Sequence, residues 1–330
     1  MGRGILHCAA SVHRKELVGG VMAESKIPAA VNTAGALIKW VTGRLDSSDV
    51  YFGHGTDNSR DEAGALVYHV MQLDHHAGNR DYGIRASPKN LAEIQALLDT
   101  RIGKRIPMPY LLHEAWFAGR SFYVDQRALI PRSPLAELIV AGFEPWLASK
   151  DAGSALELGT GSGCIAVACA LALPHMKIVA TDISEPALEV ARVNIDRYDL
   201  SARIQLVKAD MFAGLSGHFD LIVSNPPYVP AAASEDLPAE YGHEPPVALY
   251  SGPDGLDSAR RILQDARKHL NAKGLLVLEV GEQRERLEAA YPRLPFTWPE
   301  LDHGGRGIAV ITAEDLSLSG GALVAGAKDD

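Results

Sequence analysis

Between residues 31 and 102, apolar positions recur at helical spacing. Residues 31–45 carry one such stripe and residues 61–73 repeat it. Ser87-Pro88 opens a third helix, with serine as a good N-cap and proline at the first helical position, where its missing N–H costs nothing. The texture then changes. Residues 114–117 and 120–124 alternate around Ala118-Gly119, the pattern of a β-hairpin. Ser133-Pro134 repeats the helix-start signal ahead of a helix expected over 135–147.

After residue 153 short apolar runs alternate with helical stretches. Strands are predicted at 155–158, 178–181, 204–207, 221–224 and 275–280, with helices over 164–173 and 185–198. Strands that alternate with helices build a parallel sheet covered on both faces. Segments 296–301 and 307–312 are expected to add two strands, giving a mostly parallel, seven-stranded, Rossmann-like α/β sheet. The expected organisation is a tail over 1–30 (with Met22 as a candidate start), a helical domain over 31–110, a hairpin connector over 111–125, the α/β domain over 126–318 and a tail over 319–330.

Composition narrows the class. Of 330 residues, 47% are hydrophobic and 22% charged, as in an ordinary globular protein. No apolar run approaches the ~18 residues of a membrane span, and the start lacks a secretory pattern, so an intracellular, cytoplasmic location is expected. Cys8, Cys164 and Cys169 form neither a disulfide framework nor a CxxC pair, and the scattered histidines suggest no metal site. A net charge of −9 disfavours a protein that grips phosphate backbones over a wide face and suits a basic protein partner.

Three features carry chemistry. Glu157-Leu158-Gly159-Thr160-Gly161-Ser162-Gly163 lies between a predicted strand and helix, where glycines allow a sharp turn and close ligand approach. A dinucleotide loop of G-x-G-x-x-G form would need glycine or alanine at Cys164. Alternate glycines after an acid better suit a sulfonium nucleoside, with Glu157 facing its α-ammonium group, and the helix start presents free N–H groups. Asp182 and Ile183 end the next strand, where an acid can accept both ribose hydroxyls; helix capping is the competing role, which Ser184 can fill. Asp210, after the third strand, is placed either to face an adenine amino group or to sit as a solvated turn residue. The third feature is Asn225-Pro226-Pro227-Tyr228, at a strand end. An amide nitrogen is a poor nucleophile because its lone pair is delocalised. The Asn225 side-chain oxygen and the Pro226 carbonyl can accept its two hydrogens, orienting the lone pair and stabilising growing positive charge. Pro227 stiffens the turn, and Tyr228 can stack on a planar group.

With these residues in place, the chain resembles the class I S-adenosylmethionine-dependent methyltransferases, and among them the protein-glutamine N-methyltransferases. The resemblance runs from about residue 31 onward. It implies S-adenosylmethionine as cofactor at Glu157, Gly159, Thr160, Gly161, Gly163, Asp182, Ile183, Asp210 and Asn225. It also implies a substrate amide at 225–228, a small N-terminal helical domain, a hairpin connector and an antiparallel seventh strand. Segments 244–249 and 252–256 resemble a loop following the amide motif. Release-factor enzymes of the family carry proline-arginine-proline-glutamate-threonine before the core, whereas Pro131-Arg132-Ser133-Pro134 here is similar to the branch acting on large-subunit ribosomal protein L-three, as are 51–58, 61–63, 115–117 and 122–124. Arg132 is expected to shape the mouth of the site or to form a surface ion pair.

The sequence therefore points to methyl transfer onto a glutamine amide of L-three. A release-factor enzyme, an adenine amino-group methyltransferase, a non-catalytic ribosome-assembly factor and a nicotinamide-dependent oxidoreductase are the competing readings. The net charge of −9 disfavours the nucleic-acid reading.

Overall fold

The computed structural model describes residues 26–75, 78–147, 152–302 and 304–318. Cys8, Met22, His76, the 148–151 linker and the 319–330 tail lie outside the described residues. The amino-terminal helices are α1 (Ala34–Asp46), α2 (Ser59–Met71) and α3 (Pro88–Lys104), which bury Leu37, Val41, Leu66, Ile94 and Leu98 against one another. Ser87 and Asn90 form a capping box at the start of α3, as the Ser-Pro signal implied. The backbone N–H of Ile27 donates to Gln95 at 2.9 Å and its side chain packs on this core, so the chain is anchored before residue 30.

A short helix, α4 (Met108–Leu112), leads into the hairpin of β1 (Ala115–Phe117) and β2 (Arg120–Phe122). Its two turn residues, Ala118 and Gly119, both have positive φ (49° and 71°), which matches the right-handed twist of the flanking strands. The helix expected over 135–147 is shorter: α5 spans Leu135–Val140. Gly142 and Phe143 take left-handed φ of 66° and 61° and return their amides to Ile139 and Leu138, which ends the helix, while the buried Phe143 side chain joins the core.

The sheet runs β5-β4-β3-β6-β7-β8, from β3 (Ser154–Leu158), β4 (Lys177–Asp182), β5 (Ile204–Lys208), β6 (Phe219–Ser224), β7 (Leu270–Glu279) and β8 (Ile308–Thr312). All neighbours are parallel except β7 and β8. The expected α/β architecture is present, but among the described residues this sheet has six strands, not seven. Segment 296–301 pairs with β8 only at Thr297, through two hydrogen bonds to Val310, because Pro295 and Pro299 lack the N–H groups that would extend the ladder.

Both faces of the sheet are buried, as its near-continuous apolar strands require. Leu221 and Val223 of β6, with Leu275 and Val277 of β7, pack on one side with α6 (Cys164–Ala172). The alternate residues Ile222, Leu276 and Leu278 pack on the other with α8 (Asp257–His269), α9 (Arg284–Ala290) and α10 (Ala313–Leu318). Each such fully buried aliphatic side chain stabilises the fold by about 1.5–3 kcal/mol. Helix α7 (Glu185–Arg197) completes the covering layers. Among the described residues no helix is long and apolar enough to cross a membrane.

Topology places the site. Strand order reverses at β3, with β4 on one side and β6 on the other, and a crevice opens at the carboxyl ends of such strands. Leu158 pairs with both Thr181 and Ser224, and Ser224 pairs with Leu278, so Gly159, Asp182, Asn225 and Glu279 stand near one rim.

Candidate active site at the carboxyl ends of the strands

The glycine loop is shaped by backbone conformation. Gly159, Gly161 and Gly163 have φ of 71°, 55° and 78°, which L-residues adopt at a cost. A Cβ on Gly159 or Gly161 would meet no atom within 4 Å, so the loop borders open space, whereas a Cβ on Gly163 would press on Ala191 of α7 at 3.1 Å. The first two glycines thus form a cradle, and the third permits close helix packing. Thr160 braces the loop: its N–H donates to the Thr181 carbonyl at 2.8 Å and its hydroxyl to Glu157 at 2.6 Å.

Glu157 is fully buried, and its Oε1 makes no well-formed hydrogen bond. Burial pushes its pKa up to about 8, with the Thr160 hydroxyl and the Ala166 amide opposing. Asp182 accepts the Gly161 and Ser184 amides, each at 2.8 Å, while Ser184 caps α7 through Ala187. Burial also raises the Asp182 pKa, against those same amides. Ile183, an aliphatic side chain, is 51% exposed beside it. Asp210 is at the edge of this cluster. It is half-exposed and pairs with Arg261 of α8 at 2.9 Å, closer to the solvated alternative than to a dedicated ligand contact.

Asn225 is half-buried at the end of β6, Pro226 is buried, and Pro227 and Tyr228 are half-buried. The following segment is tied down by reciprocal bonds between Val229 and the 249–251 stretch. Glycines make room around Tyr228: a Cβ on Gly255 would lie 2.3 Å from its carbonyl oxygen, and one on Gly281 would lie 2.8 Å from its ring. The Tyr228 hydroxyl donates to Oε1 of Glu279 at 3.2 Å. The predicted amide motif and the glycine loop therefore stand at the ends of adjacent strands.

Residues 142–240 match the family model described as Methyltransferase small domain. The chain is 46% identical over 283 residues to a Neisseria meningitidis protein named ribosomal protein uL3 glutamine methyltransferase, covering 85% of this chain and 93% of that one. A protein of the same name from Xylella fastidiosa is 44% identical over 299 residues, covering 89% of this chain and 96% of the relative. One from Francisella tularensis is 42% identical over 281 residues, covering 84% and 90%. The chain belongs to the ribosomal protein uL3 glutamine methyltransferase family. It is an S-adenosylmethionine-dependent enzyme.

The residues of this methyltransferase fit that cofactor. The open cradle at Gly159 and Gly161 admits a ligand against the backbone, Asp182 offers carboxylate oxygens at the rim, and Glu157 Oε1 is a buried acceptor in want of a donor.

Around the expected Arg132 stand residues of the methyltransferase site that were given no role from sequence. Arg132 does form an ion pair, but with the buried Glu244, which it grips with both terminal nitrogens, one at 2.8 Å; its guanidinium also covers the Tyr241 ring at 5.6 Å. Glu244 accepts the Ile130 amide at 3.2 Å and faces His54 Nε2 at 3.4 Å. Glu240 is fully buried and accepts from Arg101 of α3, from Arg105 and from the Tyr51 backbone at 2.7–2.9 Å. Burial alone would raise both carboxyls, but the hydrogen bonds from Arg105 and Arg101 hold Glu240 at about 2, and the close approach of His54 with the charge and hydrogen bonds of Arg132 holds Glu244 at about 2. This loop thereby joins the helical domain to the segment downstream of Asn225-Pro226-Pro227-Tyr228. Its signal in the sequence was two acids flanking Tyr241-Gly242-His243 just beyond the motif, which no local pattern distinguishes from a solvated turn.

Proposed function

We propose that this protein methylates the side-chain amide nitrogen of a glutamine in ribosomal protein uL3, in the cytoplasm, supporting ribosome assembly. The observation that carries the reading is its 42–46% identity, over most of the chain, to proteins named for that reaction. The direct partner is then a protein, with no membrane or nucleic acid required. The net charge of −9 complements a basic ribosomal protein and disfavours the adenine-methylating alternative.

In this reading Glu157, Gly159, Thr160, Gly161, Gly163, Asp182 and Ile183 hold the cofactor, with Asp210 at its outer edge. S-adenosylmethionine supplies an electrophilic methyl group on a positively charged sulfur. Asn225 Oδ1 and the Pro226 carbonyl accept the two amide hydrogens of the substrate and turn the nitrogen lone pair toward that methyl. As the nitrogen–carbon bond forms, the methyl carbon's bond to sulfur would break and S-adenosylhomocysteine would leave. The two acceptors stabilise the positive charge growing on the nitrogen, which then loses one N–H proton to solvent. Pro227 holds the turn, and the Tyr228 ring covers the planar amide, excluding water. Arg132 acts from outside this clamp, by fixing Glu244 and the loop that carries it.

Mass spectrometry of ribosomal proteins from cells lacking this protein tests the assignment. One methyl group should be lost from a glutamine of uL3 and restored by the intact gene. A uL3 that keeps its methylated glutamine in those cells would sink the reading.

A further inference from the structure

Glu279 has no place in the amide clamp, yet it is only 3% exposed at the end of β7, beside the strand that delivers Asn225. Both of its oxygens are engaged. The Tyr228 hydroxyl donates to Oε1 at 3.2 Å and the Ser133 hydroxyl donates to Oε2. Ser133 is fixed in turn, accepting the Leu135 amide at 3.1 Å at the start of α5. Tyr228 is thus confined at its hydroxyl by Glu279, at its ring by Gly281 and at its carbonyl by Gly255.

We propose that Glu279, secured by Ser133, is a positioning residue for methyl transfer, holding the Tyr228 ring at the angle that covers the substrate amide. This rests on the glutamine-amide reading above. An ionised carboxylate accepts from two hydroxyls at once, whereas a neutral carboxyl carries its own proton and accepts more weakly. Burial pushes Glu279 up to about 7, opposed by the Ser133 and Tyr228 hydroxyls and by the charge of Arg132. Among the described residues those three are the polar groups that act on it; Arg132 stays cationic and burial raises the Tyr228 phenol, so neither titrates near neutrality. The clamp should therefore loosen as pH falls below about 7.

Steady-state kinetics with uL3 and S-adenosylmethionine both saturating test this on the wild type, Glu279→Gln, Ser133→Ala, Tyr228→Phe and the Glu279→Gln/Tyr228→Phe double variant. Saturating cofactor keeps titration of Glu157 out of kcat. Glu279→Gln should lower kcat about tenfold, the worth of one good hydrogen bond, and abolish the fall in kcat below neutral pH, while cofactor affinity stays within about twofold. Ser133→Ala removes a donor to the ionised form, so it should move that fall to higher pH. The double variant should be no slower than Tyr228→Phe, because residues acting through one another are not additive. Thermal melts report folding, and Ser133→Ala with Tyr228→Phe keeps the test open if Glu279→Gln unfolds. Unchanged kcat in Glu279→Gln, multiplied losses in the double variant, or an unmoved pH limb in Ser133→Ala overturns the proposal. A wild-type protein that methylates no glutamine overturns the proposed function instead.

Discussion

On the wall of the cleft proposed to hold the cofactor, contacts run between residues close in sequence. The Thr160 hydroxyl reaches Glu157 three positions away, and the Gly161 amide reaches Asp182 at a separation of 21. On the substrate wall, Arg132 meets Glu244 at a separation of 112, Arg101 meets Glu240 at 139, and Ser133 meets Glu279 at 146. The charges differ as well. Glu157 is buried and Asp182 half-buried, with no cationic partner among the described residues, and burial raises both, which suits groups that await a positive ligand or hydroxyl donors. Glu240 and Glu244 are buried against arginines that depress them, which suits groups that hold architecture. One wall is a property of a strand–turn–helix unit and the strand that follows it; the other is assembled from distant segments, with the helical domain joining it through Arg101 and Arg105.

The largest expected effect breaks the docked wall. Glu240→Ala leaves Arg101, 1% exposed, with one of its two carboxylate partners, and strands Arg105. Removing one partner of a buried ion pair costs about 3–5 kcal/mol, so chemical denaturation should show a loss of that order. A change below about 1 kcal/mol would mean that the two domains are held together by other contacts. Next comes Asn225→Ala, which should lower kcat about 100- to 1,000-fold, as removal of one preorganised polar group from a reacting centre does, while calorimetric cofactor affinity survives. Normal turnover would refute the amide clamp.

That contrast also explains what the sequence disclosed. The glycine loop, Asp182 and Asn225-Pro226-Pro227-Tyr228 are short strings whose meaning is local, so their positions at adjacent strand ends followed once the alternation of strands and helices was recognised. The capped start of α3 and the Ala118-Gly119 turn were equally plain. Phe143 was not: a phenylalanine in a left-handed conformation ends α5 for the sake of core packing, and helical periodicity continues past it. The strand expected over 296–301 failed because apolar content outweighed two prolines in the reading, although the ladder needs their missing amides. Glu279 was placed in a strand and Glu244 in a loop segment, but neither these nor Glu240 was given a partner, since their partners lie more than 100 positions away. Burial by distant chain segments leaves no local trace.

A smaller effect belongs to the cofactor wall. Asp182→Ala should weaken S-adenosylmethionine binding by about 1.5–3 kcal/mol, the range for hydrogen bonds to a charged group, with much less effect on kcat at saturation. Titration calorimetry measures the first quantity and saturating kinetics the second. Should kcat fall while affinity holds, Asp182 would have to be moved from the cofactor wall to the reacting centre.

The subtlest test uses pH to separate Glu157 from Glu240 and Glu244, because these carboxylates contribute with opposite sign. Glu157 has its folded pKa raised from 4.5 to about 8, so the folded protein binds more protons than the unfolded chain between those values. Its contribution to stability is full below about 4.5 and is lost as pH rises through about 8. Glu240 and Glu244 are depressed to about 2, so theirs is full above about 4.5 and is lost as pH falls through about 2. Melts of the cofactor-free protein should therefore decline on both sides, and Glu157→Gln should reduce only the alkaline decline, leaving the part that Glu279 contributes as pH rises through about 7. An α-ammonium group bound beside Glu157 favours its ionised form, so cofactor binding near pH 7 should release up to about one proton from the wild type and measurably less from Glu157→Gln. Calorimetry in buffers of different ionisation enthalpy counts that proton. Equal release from both proteins would show that Glu157 stays protonated beneath the loop, serving Thr160 alone.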